Sequence, residues 1–398
     1  MTFLRGERAL WALVLAFTVT MIGTTMPTPL YTHYQAELGF SLSTSTVIFA
    51  VYAMGVLAAL LVTGRWSDAV GRRPLLLGGL AFALASDLVF LVADATWILL
   101  LGRVLSGISA GVFVGTATAA VVEAAPERRR AWAPVAATAA NIGGLGLGPL
   151  LAGLLVDLGP WTLHLTFVVH AVLTLVAVVL VCGVPETVER VPGARLSLQK
   201  PEVPASIRQA FVAAGIAGFA GFAVTGLLTA VSPRLVAEVL DDPSALVQDS
   251  VIVLALLVSV VAQVVLRGVS TTTGVTLGCA LLALGSLVLV AGLWTESYAV
   301  LLASALFIGP GQGLSFGKGL ASLLERVQPH QRAGVSSAFF IVGYVAISLP
   351  VIGAGVAAQE WGLEAAAESF GLGVAALSLL ALVALVVEQR RTRETATA

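Results

Sequence analysis

The sequence predicts an all-α membrane protein in which twelve transmembrane helices form two parallel six-helix bundles. Of its 398 residues, 58% are hydrophobic and 11% are charged, against roughly 25% charged residues in a soluble protein. Twelve apolar runs are long enough to cross a bilayer, and the second half of the chain repeats features of the first. A soluble fold of this size could not bury so many apolar side chains, so the surrounding solvent must be lipid.

The apolar runs have the length and the continuity of membrane helices. A helix needs about 20 apolar residues to cross about 30 Å of hydrocarbon. The strands of a membrane barrel would alternate over about ten residues, whereas runs such as 251–265 are apolar almost throughout. We number the predicted spans helix 1 to helix 12, in the order 9–30, 44–63, 74–92, 97–122, 132–156, 162–183, 209–232, 248–266, 272–292, 298–322, 333–355 and 364–387.

The first span shows no cleavage site of small residues, so we expect a retained helix and not a signal peptide. The two cysteines, Cys182 and Cys279, lie inside predicted spans and are interpreted as inert apolar thiols. No cluster of His, Cys and carboxylate residues has the spacing of metal ligands, and the Gly-rich Lys-Ser/Thr loop of ATP-binding proteins does not occur. We therefore expect no metal, no cofactor and no drive by ATP.

Basic residues are confined almost entirely to one side of the predicted membrane. Of the 21 Lys and Arg residues, 18 fall on one side, Arg234 falls on the other, and Arg103 and Lys318 lie inside spans. This bias follows the positive-inside rule, so we expect a plasma (inner) membrane protein with both termini in the cytoplasm. The net charge of −1 gives no reason to expect a nucleic-acid partner, and we expect a monomer in the lipid bilayer.

The two halves of the chain repeat at an offset of about 202 residues. Between them, residues 184–207 are rich in Pro and charge, which is typical of a solvated linker. We therefore predict a six-helix bundle over 1–183, a cytoplasmic linker over 184–207 and a second bundle over 208–398. Transporters built from parallel repeats rock their halves around a central site. The repeated pairs include Gly107 with Gly309, Gly111 with Gly313, Gly115 with Gly317, Glu123 with Glu325 and Arg65 with Arg267.

The turn between helices 2 and 3 carries the strongest motif, because residues 64–74 read GRWSDAVGRRP. Asp68 can cap a helix start, and Gly71 permits a tight turn. The spacing of these two residues and the arginines after them resembles the signature that the major facilitator superfamily carries at this turn, with Ala69 where a basic residue is usual. The resemblance implies the twelve-helix fold of that family and secondary transport without covalent chemistry.

The same resemblance implies an inner gate latch at this turn. Asp68, Gly71, Arg72 and Arg73 would form it, with Arg72 pairing to an acid at the cytoplasmic end of helix 4, and Glu123 occupies that place. The alternative is that the arginines only anchor the inner membrane face. The second half keeps a basic residue but has Ser270 and Thr273 at the corresponding positions, so its latch is in doubt.

Helix 4 carries Arg103 followed by small residues at every fourth position, including Gly107 and Gly111. Small residues at this spacing allow close helix packing. A charge inside the membrane is costly and usually faces a cavity or a partner. The pattern resembles the helix-4 arginine motif of the family, which is linked to proton coupling. The alternative is that Arg103 extends to the outer interface.

Helix 5 contains a glycine-rich stretch around a proline, with Gly144, Gly148, Pro149 and Gly153. Pro149 removes a backbone hydrogen bond and bends the helix, and the glycines permit close packing there. The stretch resembles the glycine-proline motif found mainly in the drug/proton antiporter (efflux) branch of the family, where it is assigned a role in sealing the outer side; Ala152 replaces one glycine. Helix 11 does not duplicate the motif, which favours export over uptake.

The family resemblance places the substrate cavity among helices 1, 4, 7 and 10. The alternative for each polar cavity candidate is an ordinary interhelical hydrogen bond, and for Lys318 an extension to the membrane face. With two buried cations and few buried acids, a neutral, zwitterionic or anionic substrate is expected more readily than a cationic one. The candidates are Thr24, Tyr31, Tyr52, Asn141, Thr225, Gln312, Lys318 and Tyr344.

Two further residues are candidates for proton coupling, Asp87 in helix 3 and His170 in helix 6. The alternative for His170 is a hydrogen-bonded packing residue. The leading hypothesis is a proton-coupled exporter of small organic molecules that works by alternating access. A proton-coupled uptake symporter of the same fold and a transport-inactive membrane sensor are the alternatives. No paired acids or Ser/His/Asp set converges on one face, so we expect no catalytic residue and no enzyme.

Overall fold

The computed structural model describes residues 4–64, 66–188, 198–240 and 244–397, without the side chains of Asp68, Val239, Leu240, Pro329 and 388–397. These residues form helices, and they include twelve that are long and apolar enough to cross a membrane. The twelve-helix prediction is confirmed. The spans, helix 1 to helix 12, are Glu7–Leu38, Leu42–Thr63, Arg72–Leu91, Thr96–Ala124, Ala133–Leu158, Leu165–Gly183, Ala205–Ala230, Ser250–Gly268, Thr271–Trp294, Tyr298–Leu324, Arg332–Trp361 and Leu363–Val387.

Helix 1 is longer than predicted and is interrupted. Its first part, Glu7–Thr25, is followed by a 3-10 turn at Thr28–Leu30 and a second part at Tyr31–Leu38. Pro27 and Pro29 have no backbone N–H group, so the regular helix cannot continue through them. The interruption leaves carbonyl groups at the end of the first part without their usual helical donors.

The chain divides into two compact units. In the first unit, helix 4 packs against helices 1, 2, 3 and 5; helix 1 also packs against helices 5 and 6, and helix 3 against helix 6. The second unit repeats this arrangement: helix 10 packs against helices 7, 8, 9 and 11; helix 7 also packs against helices 11 and 12, and helix 9 against helix 12. The internal repeat of the sequence therefore corresponds to a repeated packing pattern.

The repeated glycines allow the same close approach in each unit. A side chain at Gly107 would overlap the carbonyl of Tyr52 in helix 2, and one at Gly309 would overlap the carbonyl of Ala255 in helix 8. A side chain at Gly111 would likewise overlap the carbonyl of Val56. These helix-4 and helix-10 glycines are packing positions, as their spacing indicates.

The boundary between the units differs from the predicted one in two ways. The units are Met1–Lys200 with Pro243–Asp249, and Pro201–Asp242 with Ser250–Ala398. The segment before helix 8 therefore belongs with the first bundle. The linker is also not solvated throughout, because Gln199 is 7% exposed and its N–H donates to the carbonyl of Leu61 at 2.7 Å. Residues 189–197 of the predicted linker lie outside the described residues.

Candidate functional site

An ion pair joins the start of helix 3 to the end of helix 4 in the first unit. Arg72 Nη2 lies 2.9 Å from Glu123 Oε1, and Arg72 Nε donates to Glu123 Oε2 at 3.3 Å. Arg72 Nη1 also donates to the hydroxyl of Ser67 at 2.6 Å. The Arg72 side chain is 10% exposed and the Glu123 side chain 31%, so the pair is shielded more than a surface salt bridge.

A second acid lies at this place, Glu186, which was not predicted from the sequence. Its carboxylate accepts the backbone N–H groups of Arg72 at 2.8 Å and Arg73 at 3.3 Å. These are the first N–H groups of helix 3, which have no helical acceptor, so Glu186 is the cap of that helix. Thr187 adds a hydrogen bond to Glu123 at 2.8 Å. An acid just after helix 6, on the side where the arginines cluster, was the available signal.

Asp68 was predicted to cap a helix start, and this stays a prediction, because the Asp68 side chain lies outside the described residues. The Asp68 backbone lies inside the short helix Trp66–Val70, and Glu186 accepts the first N–H groups of helix 3. Gly71 stands between the two helices at φ 110, a left-handed conformation that favours glycine. The turn thus depends on Gly71 for its backbone and on Arg72 for its side-chain contacts.

The corresponding turn of the second unit uses different chemistry. Ser270 caps helix 9 by accepting the N–H of Thr273 at 3.2 Å, and Thr271 donates to Glu325 at 3.1 Å. Lys318 Nζ donates to the carbonyls of Arg267 at 2.8 Å and Val269 at 2.7 Å. An acid at the end of helix 10 is therefore retained, and the hydroxyl of Thr271 contacts it. The ammonium group of Lys318 thus binds this turn, and its selection as a substrate-cavity residue stays a prediction.

Arg103 is buried inside the first unit, at 1% exposure, and does not extend to the interface. Its Nη1 donates to the carbonyl of Thr24 at 2.5 Å, and its Nη2 to that of Phe49 at 3.4 Å. The guanidinium carbon lies 4.7 Å from the ring centre of Tyr52. Thr24 is at the end of the first part of helix 1, so Arg103 places a positive charge on the free carbonyls of the interruption. Cations stabilise a helix at this end.

Asp87 and His170 meet in the interior of the first unit, at 3% and 1% exposure. His170 Nδ1 lies 2.8 Å and 2.9 Å from the two carboxylate oxygens of Asp87. Its Nε2 lies 3.0 Å from the carbonyl oxygen of Val19 in helix 1. A side chain at Gly23 would overlap the imidazole ring, so glycine at that position makes room for it. The pair connects helices 3, 6 and 1.

The glycine-proline stretch of helix 5 packs against helix 1. Side chains at Gly144 and Gly148 would overlap the backbone of helix 1. Pro149 lies inside the helix and cannot donate to the carbonyl four residues earlier, that of Leu145. The hydroxyl of Thr25 donates to this carbonyl at 2.8 Å. A helix-1 side chain thus replaces the hydrogen bond that the proline removes. Gly153, further along helix 5, packs against the backbone of Leu246.

The remaining cavity candidates are mostly engaged within their own unit. The hydroxyls of Thr24 and Thr225 donate to carbonyls of their own helices, and Gln312 accepts a hydrogen bond from Ser259 at 3.2 Å. Tyr344 joins an aromatic group with Phe222 and Phe340. Tyr31 is buried with its hydroxyl lacking a hydrogen bond among the described residues, and Asn141 in helix 5 is half-buried. Among the described residues, no group of three His, Cys, Asp or Glu could hold a metal ion.

Comparison with known proteins defines the family. The model of the Major Facilitator Superfamily matches residues 13–351. The chain therefore belongs to the major facilitator superfamily, a family of membrane transporters and not of enzymes. The human organic anion transporter MFSD10 (TETRAN) has the same fold, with a TM-score of 0.66 and 20% sequence identity. The match covers 95% of this chain and 99% of MFSD10. The predicted family, transporter class and fold are confirmed.

Three curated relatives match part of the chain. A class D tetracycline resistance protein of Salmonella ordonez is 35% identical over 127 residues, 32% of this chain and 31% of the relative. The inner membrane transport protein YajR of Escherichia coli K12 is 30% identical over 189 residues, 47% of this chain and 39% of the relative. The multidrug resistance protein MdtL of Shigella flexneri is 32% identical over 96 residues, 24% of this chain and 25% of the relative. Each match spans less than two fifths of the relative.

Proposed function

We propose that this transporter is a proton-coupled exporter of small organic molecules that works by alternating access, with both termini in the cytoplasm. The direction is supported by the glycine-proline stretch of helix 5, which resembles the antiporter branch and packs on helix 1. Two relatives bear names of resistance proteins, one for tetracycline and one for multiple drugs. Lys318 binds the turn before helix 9, so its charge gives no support for a preferred substrate charge.

The buried pair of Asp87 and His170 is the observation that carries the proton coupling. The Val19 carbonyl can only accept a hydrogen bond, so His170 Nε2 must bear a proton to bond with it. The ionised Asp87 carboxylate also only accepts, so a second proton must lie on His170 Nδ1 or on the carboxyl group itself. Both hydrogen bonds therefore exist together only when the pair holds one proton more than a neutral imidazole beside a carboxylate.

Release of that proton has an electrostatic and a structural consequence. The pair would carry a net negative charge at positions that are 3% and 1% exposed, which is costly without a compensating partner. The neutral imidazole could also keep only one of its two hydrogen bonds, either to Asp87 or to the Val19 carbonyl. Proton binding at Asp87 and His170 is thus linked to the attachment of helix 1, which is the property that coupling requires.

We assign the inner latch of the first unit to Arg72 and Glu123, with Asp68, Gly71 and Arg73 as its further members. The support is the shielded ion pair of 2.9 Å between helices 3 and 4, together with the family resemblance of the turn. Opening such a latch separates a guanidinium group from its carboxylate, and this cost favours the closed arrangement.

Transport by cells and vesicles tests the direction and the coupling. A toxicity and metabolite comparison of cells with and without the protein, with tetracycline among the compounds, would identify a transported solute. In inside-out vesicles, an acidic interior should drive loading of that solute, and a protonophore should release it. Loading driven by an alkaline interior would identify an uptake symporter. Indifference to the pH gradient for every transported solute would contradict coupling.

The substitution Asp87→Asn tests the role of the pair. An asparagine amide can donate to His170 Nδ1 while Nε2–H still donates to the Val19 carbonyl, so the variant imitates the protonated pair but cannot release the proton. Gradient-driven loading should fall at least about tenfold, whereas solute exchange without a gradient should persist. Asp94→Asn, at an exposed loop position, is the matched control. Equal loss of exchange would assign Asp87 a structural role, and unchanged gradient-driven loading would exclude it from coupling.

A further inference from the structure

A short segment from the second half of the sequence is docked on helix 5. Asp157, at the end of that helix, accepts hydrogen bonds from the N–H of Ala245 at 2.8 Å, the N–H of Leu246 at 3.2 Å and the hydroxyl of Ser244 at 2.7 Å. Gly153, one turn earlier, allows the backbone of Leu246 to approach helix 5. Residues 244–249, which we call the docked segment, accordingly belong to the first unit.

The docked segment ends at an acid that is fully buried. Asp249 is 0% exposed, and neither of its carboxylate oxygens has a hydrogen-bond partner among the described residues. The charge that acts on the Asp249 carboxyl group is that of Asp157, whose oxygens accept hydrogen bonds from the docked segment. The 3-10 turn Thr28–Leu30, which also packs on the segment, contributes no charged residue. A carboxylate in these surroundings takes up a proton instead of remaining ionised. Burial, and secondly Asp157, raise the pKa of Asp249 well above its usual range.

We propose that Asp249 is a proton-binding site that controls docking: the segment docks on helix 5 with Asp249 protonated and leaves it when Asp249 ionises. The site lies at the C-terminal end of helix 5. Arg128, Arg129 and Arg130 precede the other, N-terminal end of that helix. The inference rests on the proposed function only for the side of the membrane on which Asp249 lies, because the proposed orientation puts this end of helix 5 outside. External acid would then favour docking.

The direction of the pH effect follows from the proton count. The docked state binds one proton more than the undocked state, so docking is strongest at low pH and weakens as the pH rises. Between the ordinary pKa of an exposed aspartate and the raised pKa of docked Asp249, the docking equilibrium should fall about tenfold per pH unit.

Hydrogen exchange of the purified full-length protein, without substrate or gradient, tests the inference. Protection of the amides of Ala245 and Leu246, corrected for intrinsic rates, is measured between pH 5 and pH 9. The wild type should lose at least about tenfold protection across this range. Asp249→Asn should retain the low-pH protection throughout, and Asp157→Ala should be poorly protected throughout. Peptides from helix 4 report whether each variant is folded.

Two results would overturn the inference. One is wild-type protection that does not change with pH, and the other is an Asp249→Asn variant with the pH dependence of the wild type. The wild-type titration decides alone if the variant does not fold. Because the measurement involves no transport, its failure would leave the proposed exporter function untouched, and a failed transport assay would leave this inference untouched.

Discussion

The contact between Thr25 and the Leu145 carbonyl yields a prediction that needs no knowledge of the substrate. The Thr25 hydroxyl donates to this carbonyl at 2.8 Å, because Pro149 has no N–H group to offer. Thr25→Val keeps the shape of the side chain and removes the donor. The carbonyl of Leu145 would then lose the hydrogen bond that replaces its helical one.

The loss of stability expected for Thr25→Val follows from these contacts. Leaving a buried acceptor without a donor costs about 1–3 kcal/mol, and hydrogen bonds between membrane helices average about 0.6 kcal/mol with a maximum near 1.7. We therefore expect Thr25→Val to destabilise the protein by about 1 kcal/mol. Thr18→Val is the matched control on the same helix. The Thr18 hydroxyl donates to the Val14 carbonyl at 3.0 Å, which keeps its helical N–H donor, so this change should cost a few tenths of a kcal/mol.

A double-mutant cycle separates the proposed mechanism from a general loss of packing. Pro149→Ala supplies an N–H group for the Leu145 carbonyl, so Thr25→Val should cost much less in that background, with a coupling free energy of about 0.5–1.5 kcal/mol. The assay is reversible unfolding of the purified protein in mixed detergent–SDS micelles. Additive effects of the two changes, or a Thr18→Val cost equal to that of Thr25→Val, would refute the reasoning.

Two further predictions concern the caps of helices 1 and 3. Arg103→Lys should lower stability by about 1–2 kcal/mol in the same assay, because an ammonium group cannot hold the carbonyls of Thr24 and Phe49 with the geometry of a guanidinium fork; wild-type stability would show that charge alone suffices. Glu186→Gln should speed hydrogen exchange of the first amides of helix 3 a few-fold, since the loss of charge at a helix start costs about 0.3–1 kcal/mol. The exposed Glu127→Gln serves as its control, and equal rates in both variants would remove Glu186 as the cap.

The membrane fold was predictable because lipid imposes a simple rule on the sequence. Each span must be apolar over the thickness of the bilayer, and the predicted spans agree with the observed helices at most ends. The largest difference is helix 1, which was predicted to end at residue 30 and extends to Leu38. The part after the interruption carries polar residues such as His33 and Gln35, so hydropathy alone did not include it.

The site was predictable only where a residue carries its own signal. An arginine such as Arg103 inside an apolar helix is conspicuous, and the family resemblance pointed to Glu123 as the acid at the end of helix 4. Glu186 carries only a weak signal, an acid on the side where the arginines cluster, and Asp249 carries none, because the roles of both depend on which distant parts of the chain fold against them. Pro149 is an intermediate case: its missing N–H identifies the Leu145 carbonyl as needing a donor, but nothing in the sequence identifies Thr25 as that donor.

Three polar contacts of the first unit converge on one short part of helix 1. His170 from helix 6 contacts the carbonyl of Val19, Arg103 from helix 4 contacts that of Thr24, and Thr25 contacts helix 5. Val19 and Thr25 are six residues apart, about 9 Å along a helix. Each contact depends on a different feature: a proton at His170, a fixed charge at Arg103 and a missing N–H at Pro149. Only the first of these depends on a bound proton, so protonation at Asp87 and His170 is the step expected to alter how helix 1 is held.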